Sequence, residues 1–120
     1  MKNMHINGTS FGKVVIDGKD YKDVLLVGGK VELRNLDMLH NKFGTGHVIA
    51  EWEIKLLKQG KPDVIVIATG QWGVLDVGEK LKDELGGCEL VVENTPDAIK
   101  TINKLLEEGK KVNALIHVTC

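Results

Sequence analysis

What is scarce in this sequence narrows the reading first. Two cysteines, Cys88 and Cys120, are too few for a disulfide framework, so a reducing cytoplasm is the expected location. The longest apolar run, Val64 to Ala68, is five residues. A bilayer-spanning helix needs about 20, so no membrane span is expected. Met1-Lys2-Asn3-Met4-His5-Ile6 contains no apolar core, so no secretory leader is expected there. Charge of one sign is not in excess either: 16 basic residues face 17 acidic ones, for a net charge of −1. No stretch gathers lysine without balancing acids, which disfavours nucleic acid as a partner. Arginine occurs only at Arg34. Internal repeats, linkers and low-complexity tracts are absent.

What is present is ordinary for a globular protein: 42% hydrophobic and 28% charged residues in a chain of 120. That length suits one domain with a core of its own, expected over residues 1–120. The first third reads as β-structure. Val14-Val15-Ile16 runs into Asp17-Gly18, a hairpin turn signal, with Tyr21 and Val24-Leu25-Leu26-Val27 as the partner strand. Gly28-Gly29 breaks the chain, and Lys30 to Arg34 alternates polar and apolar, as a half-exposed strand does. Asn35 to Gly46 has no regular pattern.

Ile49, Trp52 and Leu56 then stand at helical spacing. Glu51 and Glu53 lie early and Lys55 and Lys58 late, which complements the helix dipole. Gly60 and Pro62 end this helix. Val64-Ile65-Val66-Ile67 is uniformly β-branched, the pattern of a strand covered on both faces. A stripe of Val74, Val77, Leu81 and Leu85 predicts a helix ending at Gly86-Gly87. Leu90-Val91-Val92 is a further strand. Thr95 as cap and Pro96 at the first position start a helix with Ala98, Ile102, Leu105 and Leu106 on its buried face. Gly109 ends it, and Val112 to Val118 forms the last strand. The order is a β-meander, then α-β-α-β-α-β, which implies right-handed crossovers and a largely parallel sheet.

Four segments carry a resemblance: Ser10-Phe11-Gly12 with the hairpin after it, Val66-Ile67-Ala68-Thr69-Gly70, Asn94-Thr95-Pro96-Asp97-Ala98, and His117-Val118-Thr119-Cys120. In their order and spacing they resemble a family of small uncharacterised domains. That family includes the adipogenesis-associated domain protein of animals and an assembly factor of mitochondrial complex I. The resemblance implies a three-layer α/β single domain. Its central mixed, mostly parallel sheet would carry helices on one side and an N-terminal β-hairpin layer on the other, with the last strand antiparallel to the rest. It implies no established catalytic activity and no cofactor, and some members look like assembly or interaction proteins.

Ligands of open α/β sheets bind beyond the carboxyl ends of the strands. Here that edge carries Thr69-Gly70-Gln71-Trp72-Gly73, ahead of the helix expected from about Val74. Glycine admits close backbone approach, and the free amides of a helix start favour an anion. Thr69 and Gln71 would add hydrogen bonds. The competing reading is a tight turn that caps the helix and tucks Trp72 against the core. His47, after Gly44-Thr45-Gly46, either faces the same cleft as Gln71 or is a polar residue of a first helical turn. Arg34, as the sole arginine, is either a specific anion partner or a surface strand residue.

Other chemistries find less support. Glu93 stands where a ribose-binding acid would, but G-x-G-x-x-G is absent, and Gly70 and Gly73 give only G-x-x-G. The P-loop signature is absent too. His117 and Cys120, three apart on a strand, point to opposite faces, and no CxxC or HxxxH pair suggests a metal. Cys88 reads as a small core residue and Cys120 as an ordinary thiol. The hydroxyls Ser10, Thr45, Thr69 and Thr95 and the candidate bases His40, His47 and His117 fall in no nucleophile motif. The sequence therefore points to a non-enzymatic interaction or assembly-type protein. Exposed Phe43 and Trp72 would meet a protein partner or a second copy. The alternative is a small-anion or small-molecule binder, or an enzyme, with its pocket at the Thr69–Gly73 turn and with His47 and Arg34 beside it.

Overall fold

The structure is a computed structural model that describes residues 4–78, 81–85 and 87–120. Its N-terminal part is β-structure: β1 (Ile6–Ser10), β2 (Lys13–Ile16), β3 (Lys19–Tyr21), β4 (Val24–Val27) and β5 (Lys30–Leu33). After α1 (Leu36–Phe43) and α2 (Glu51–Leu57), strands and helices alternate through β6 (Val64–Thr69), α3 (Leu81–Leu85), β7 (Glu89–Glu93), α4 (Thr95–Glu107) and β8 (Val112–His117).

These strands form two sheets rather than one meander. β1, β2 and β3 make an antiparallel three-stranded sheet, and a five-stranded sheet runs in the order β5-β4-β8-β6-β7. The partner that β2 meets across the Asp17-Gly18 turn is therefore β3, and Val24–Val27 does not extend it. Burial supplies the reason. All four residues of β4 are buried, whereas Lys19 and Asp20 of β3 are exposed. A strand apolar on both faces is satisfied only inside a covered sheet. Two-residue turns close the β2–β3 and β4–β5 hairpins, at Asp17-Gly18 and at Gly28-Gly29, all four residues with positive φ. That backbone twist matches paired antiparallel strands.

The large sheet is mixed. β4 pairs antiparallel with both β5 and β8, while β6 pairs parallel with β8 and β7. The expectation of a last strand antiparallel to the rest fails: β8 opposes only β4. Its six residues are all buried, as are those of β6.

Two apolar cores flank this sheet. One joins Val24, Leu26, Val66, Ala114 and Ile116 to Ile6, Val14 and Ile16 of the small sheet and to Ala98, Ile99 and Ile102 of α4. The other joins Leu25, Ile65, Ile67 and Leu115 to Leu57 of α2 and Leu75, Leu81 and Leu85 around α3. Alternate residues of each strand serve alternate faces, as pleating requires. Helices consequently pack on both faces. Their expected segregation to one side fails at α4, which shares its face with the small sheet.

Three local expectations change. The patternless stretch contains α1, capped by Asn35, whose side chain accepts from the Met38 amide at 3.0 Å, and ended by left-handed Gly44. Only Leu39 of α1 is buried, so it has no apolar stripe to betray it. Residues 74–78 are not helical. Val74 N–H donates to Cys120 O at 2.8 Å, Leu75 N–H to Thr69 O at 3.0 Å and Asp76 N–H to His47 O at 2.8 Å. Of the expected end at Gly86-Gly87, Gly86 lies outside the described residues. Finally, Asn94, not Thr95, caps α4. No helix among the described residues is long and apolar enough to cross a membrane.

Candidate functional site

The parallel register sets Thr69, the last residue of β6, beside His117, the last residue of β8. Beyond these two strand ends the chain builds two different environments.

At the first, the Thr69–Gly73 turn, the amides of Gly70, Gln71 and Gly73 are occupied. Gly70 N–H donates to Thr95 Oγ1 at 2.9 Å, and the Thr95 hydroxyl donates in turn to His117 O. Gln71 N–H donates to Thr119 O at 2.7 Å and Gly73 N–H to Gly70 O at 3.3 Å. The Gln71 side-chain amide reaches Thr9 Oγ1, Ser10 O and Val118 O, tying β1 to the end of the chain. Thr69 Oγ1 donates to Glu93 O. Gly70 has φ +109°, and a Cβ there would lie 2.3 Å from the Cys120 carbonyl carbon and 2.8 Å from His117 Cδ2. The turn thus serves as a seat for residues 117–120. Trp72 is not tucked inward: it is 70% exposed, and its ring lies 5.3 Å from that of Phe11, itself 57% exposed.

At the second lies a buried ion network. Arg34 is neither a surface residue nor open to a ligand, since its side chain is fully buried. Its Nε and Nη2 donate to the two carboxylate oxygens of Glu53 at 2.6 and 2.8 Å, a bidentate pair. Its Nη1 donates to Asp23 Oδ2 at 2.9 Å, and the carbonyls of Gly46 and Val48 take its remaining hydrogens. Glu53 also accepts from the Ala50 amide, so α2 is capped by the same carboxylate. Burial alone would lower the Arg34 pKa, but the hydrogen bonds and charges of Glu53 and Asp23 hold it above its ordinary value.

Asp23 is the hinge of the network. Its Oδ1 accepts from the Val118 amide at 2.8 Å, and its Oδ2 lies 2.7 Å from His117 Nδ1. Burial would raise its pKa. The hydrogen bond and charge of His117, the Val118 amide and the charge of Arg34 outweigh burial and hold it below the ordinary aspartate value. An ionised Asp23 can only accept, which assigns a proton to His117 Nδ1. In the neutral imidazole, Nε2 is then left with a lone pair. Thr119 Oγ1 lies 3.1 Å from that nitrogen. The His47 ring stands edge-on to His117 with centroids 5.0 Å apart.

Above His117 opens a cleft of about 480 Å³, whose lining includes Lys22, His40, Thr45, His47, His117 and Thr119. A larger hollow of about 610 Å³ is lined by Lys42, Phe43, Ile49 and Ile54 among others, and none of the network's ionisable side chains lines it. The cleft over His117 is the better candidate, because a buried polar constellation converges on it. The structure places His47 there beside His117, while Gln71 does not line it. Arg34 sits behind it. Lys22, Asp23, Glu53 and Thr119 were not singled out by the sequence. Asp23 and Arg34 bracket an apolar strand pair, so a charged residue just before Val24–Val27 was a readable signal. Glu53 sits at helical spacing from nothing suspicious and gave none. Among the described residues no group of His, Cys, Asp and Glu is arranged to hold a metal ion.

Residues 6–117 match the model of a family described as a protein of unknown function, DUF498/DUF598, and the chain belongs to that family. It is similar to a solved structure called MT938, at 33% identity and TM-score 0.81, covering 98% of this chain and 100% of that one. It is also similar to a conserved hypothetical protein, PH1505 from Pyrococcus horikoshii OT3, at 33% identity, TM-score 0.79 and full coverage of both chains. An outer membrane protein from Bartonella henselae shares the fold at 21% identity and TM-score 0.76, covering 97% of this chain and 96% of that one. No curated protein matches the chain. These findings establish the family, and no activity is defined for it. They do not extend to the adipogenesis-associated or complex I assembly branches.

Proposed function

We propose that this member of DUF498/DUF598 binds a small anionic molecule in the cleft over His117. One observation carries the reading. Lys22, His40, His47 and His117 surround a single opening, and the carboxylate that lines it, Asp23, is already held by Arg34, His117 and the Val118 amide. A concave site with convergent basic groups and no uncommitted carboxylate favours negative charge. The anion expected at the Thr69–Gly73 turn is thereby moved to the neighbouring strand end. Of the residues expected to hold it, His47 lines the cleft. Arg34 acts through Asp23, and Thr69 to Gly73 act by seating Val118 to Cys120. Inorganic phosphate titrated into the labelled protein tests the proposal through the histidine ring resonances. Saturable shifts at His47 and His117, weakened at least about fivefold in Lys22→Ala, are the expected result. Rings indifferent to phosphate, citrate and acetate alike would sink it.

A second reading rests on Phe11, Trp72 and Val74, exposed together beside the same turn. An interaction or assembly role, with a protein partner or a second copy docking on these side chains, is the function that surface supports. A cytoplasmic setting would suit two free cysteines. Sedimentation of wild type against Trp72→Ala, alone and in a lysate, reads it. Identical behaviour of the two proteins would remove this reading without touching the cleft.

A further inference from the structure

We propose that Asp23, His117 and Thr119 form a relay that makes the Thr119 hydroxyl a nucleophile toward the ester or thioester carbon of an anionic acyl compound held in the cleft. The inference rests on the anion-site reading, which supplies the grip on the substrate's charged end. It goes beyond that reading by assigning a reaction.

The geometry is that of a nucleophile, a base and a group that orients the base. Thr119 Oγ1 lies 3.1 Å from His117 Nε2, and His117 Nδ1 lies 2.7 Å from Asp23 Oδ2. The hydroxyl has no second hydrogen-bond partner among the described residues. Asp23 is prevented from swinging away by the Val118 amide and Arg34, and Arg34 is fixed by Glu53. The imidazole therefore presents one nitrogen, in one tautomer, to one hydroxyl. Gly70 keeps the arrangement together, since any side chain there would press on His117 Cδ2 and on the backbone after Thr119. His117 and Thr119 both line the cleft, so a bound carbonyl has access to the oxygen. A purely structural histidine would need a fixed carboxylate but not a singly bonded hydroxyl at the wall of a cavity.

The step balances without any redox partner. Thr119 Oγ bonds to the carbonyl carbon while its proton passes to His117 Nε2. The bond from that carbon to the leaving oxygen or sulfur breaks, and the leaving group takes the proton from Nε2. Water, giving a proton to Nε2, then attacks the carbonyl carbon of the acyl-threonine ester; the bond from that carbon to Thr119 Oγ breaks, Oγ takes the proton back from Nε2, and the free acid leaves. Thr119 and His117 are catalytic residues in this scheme, and Asp23 is a positioning residue. Lys22, with His40 and His47, would face the substrate's anionic end.

The test uses the full chain with p-nitrophenyl acetate, a neutral probe that reads the chemical step apart from anion recognition. Nitrophenolate release is followed in time, and the acetyl group is located by peptide mass mapping. A single acetyl on Thr119 is expected, retained in Thr119→Ser and lost in Thr119→Val. His117→Gln and Asp23→Asn should slow acylation at least about a hundredfold. The two Thr119 variants leave the buried ion network intact, so they decide the matter even where Asp23→Asn does not fold. An unlabelled Thr119 in folded protein, equal labelling of Thr119→Val, or acylation indifferent to His117→Gln would each overturn the relay. Phosphate binding without Thr119 labelling overturns the relay and leaves the cleft reading standing. Thr119 labelling without phosphate binding overturns the anionic substrate class.

Discussion

Two paired strand ends, Thr69 of β6 and His117 of β8, have opposite fates. The first carries the glycines and free-looking amides that sequence rules associate with anion sites, yet the amides of Gly70, Gln71 and Gly73 are taken by Thr95, Thr119 and Gly70. The second carries no anion-site motif, yet it opens on a cleft and is backed by three ionisable side chains drawn from distant positions, Asp23, Arg34 and Glu53. Backbone polarity is satisfied locally wherever the chain can reach it. A site made of side chains keeps its outer atoms available because only their inner atoms are tied down. Where the chain itself returns to fill a glycine turn, the turn is architecture.

The comparison breaks first at Arg34. Arg34→Ala would leave Asp23 and Glu53 facing each other in a buried space with no cation between them. Removing one partner of a buried ion pair costs about 3–5 kcal/mol, so a large drop in the urea midpoint is expected. Arg34→Lys should recover little, because an ammonium cannot bond both Glu53 oxygens and Asp23 at once. A midpoint within experimental error of wild type for Arg34→Ala would show that the network is not the keystone of the second strand end.

The closed end is tested at Gly70. Its φ of +109° and the close approach of a hypothetical Cβ to the Cys120 carbonyl and to His117 Cδ2 mean that Gly70→Ala must both strain its backbone and displace Cys120. A loss of about 1–3 kcal/mol is expected from the backbone conformation alone. The informative readout is the His117 ring resonance. If the turn seats the chain beneath the cleft, that signal shifts in Gly70→Ala. A destabilised variant with an unmoved His117 would separate the two ends that the structure joins.

Acid sharpens the same comparison, since only the second end holds a buried carboxylate with a displaced pKa. The folded Asp23 carboxyl titrates below its ordinary value of 3.8. The unfolded chain therefore takes up the proton first as pH falls. Asp23 contributes its full stabilisation above about pH 4–5, and that contribution is lost as pH falls through the folded value. Asp23→Asn should accordingly show lower stability at neutral pH and a shallower decline on acidification. Parallel stability–pH curves for the two proteins between pH 2 and about 5 would contradict the assignment.

Legibility from sequence followed the range of the interaction. β6, α4 and β8 were readable because each writes its burial in adjacent residues: Val64 to Ala68, the stripe Ala98 and Ile102, and Val112 to Val118. α1 was not, because a helix that buries only Leu39 leaves no periodic trace. The stripe Val74, Val77, Leu81 and Leu85 misled in its first half. Leu75, not Val74, enters the core there, held by backbone bonds to Thr69 and Cys120 that no local pattern reports. At the site, the solitary Arg34 stands out in the sequence as an anion partner or a surface residue, and neither reading reaches its burial, because its carboxylates lie 11 and 19 positions away. His117 was noticed as a base and Thr119 was not paired with it. Their neighbourhood depends on how the chain continues past β8, which spacing on an ideal strand does not describe.

The smallest effect expected is at Trp72, and its smallness is what makes it useful. At 70% exposure its indole contributes little to the core, and its contact with Phe11 is itself on the surface. Trp72→Ala should change stability by about 0.5 kcal/mol or less. A buried tryptophan would cost about 3–5 kcal/mol on the same substitution, so one chemical melt distinguishes the exposed ring from one tucked into the core. A near-neutral result also leaves the variant fit for binding work. Phosphate response at His117 should persist in Trp72→Ala if the open strand end is a site in its own right. Loss of that response in a fully stable variant would mean that the exposed aromatic pair and the cleft act together, and the two ends would have to be treated as one surface.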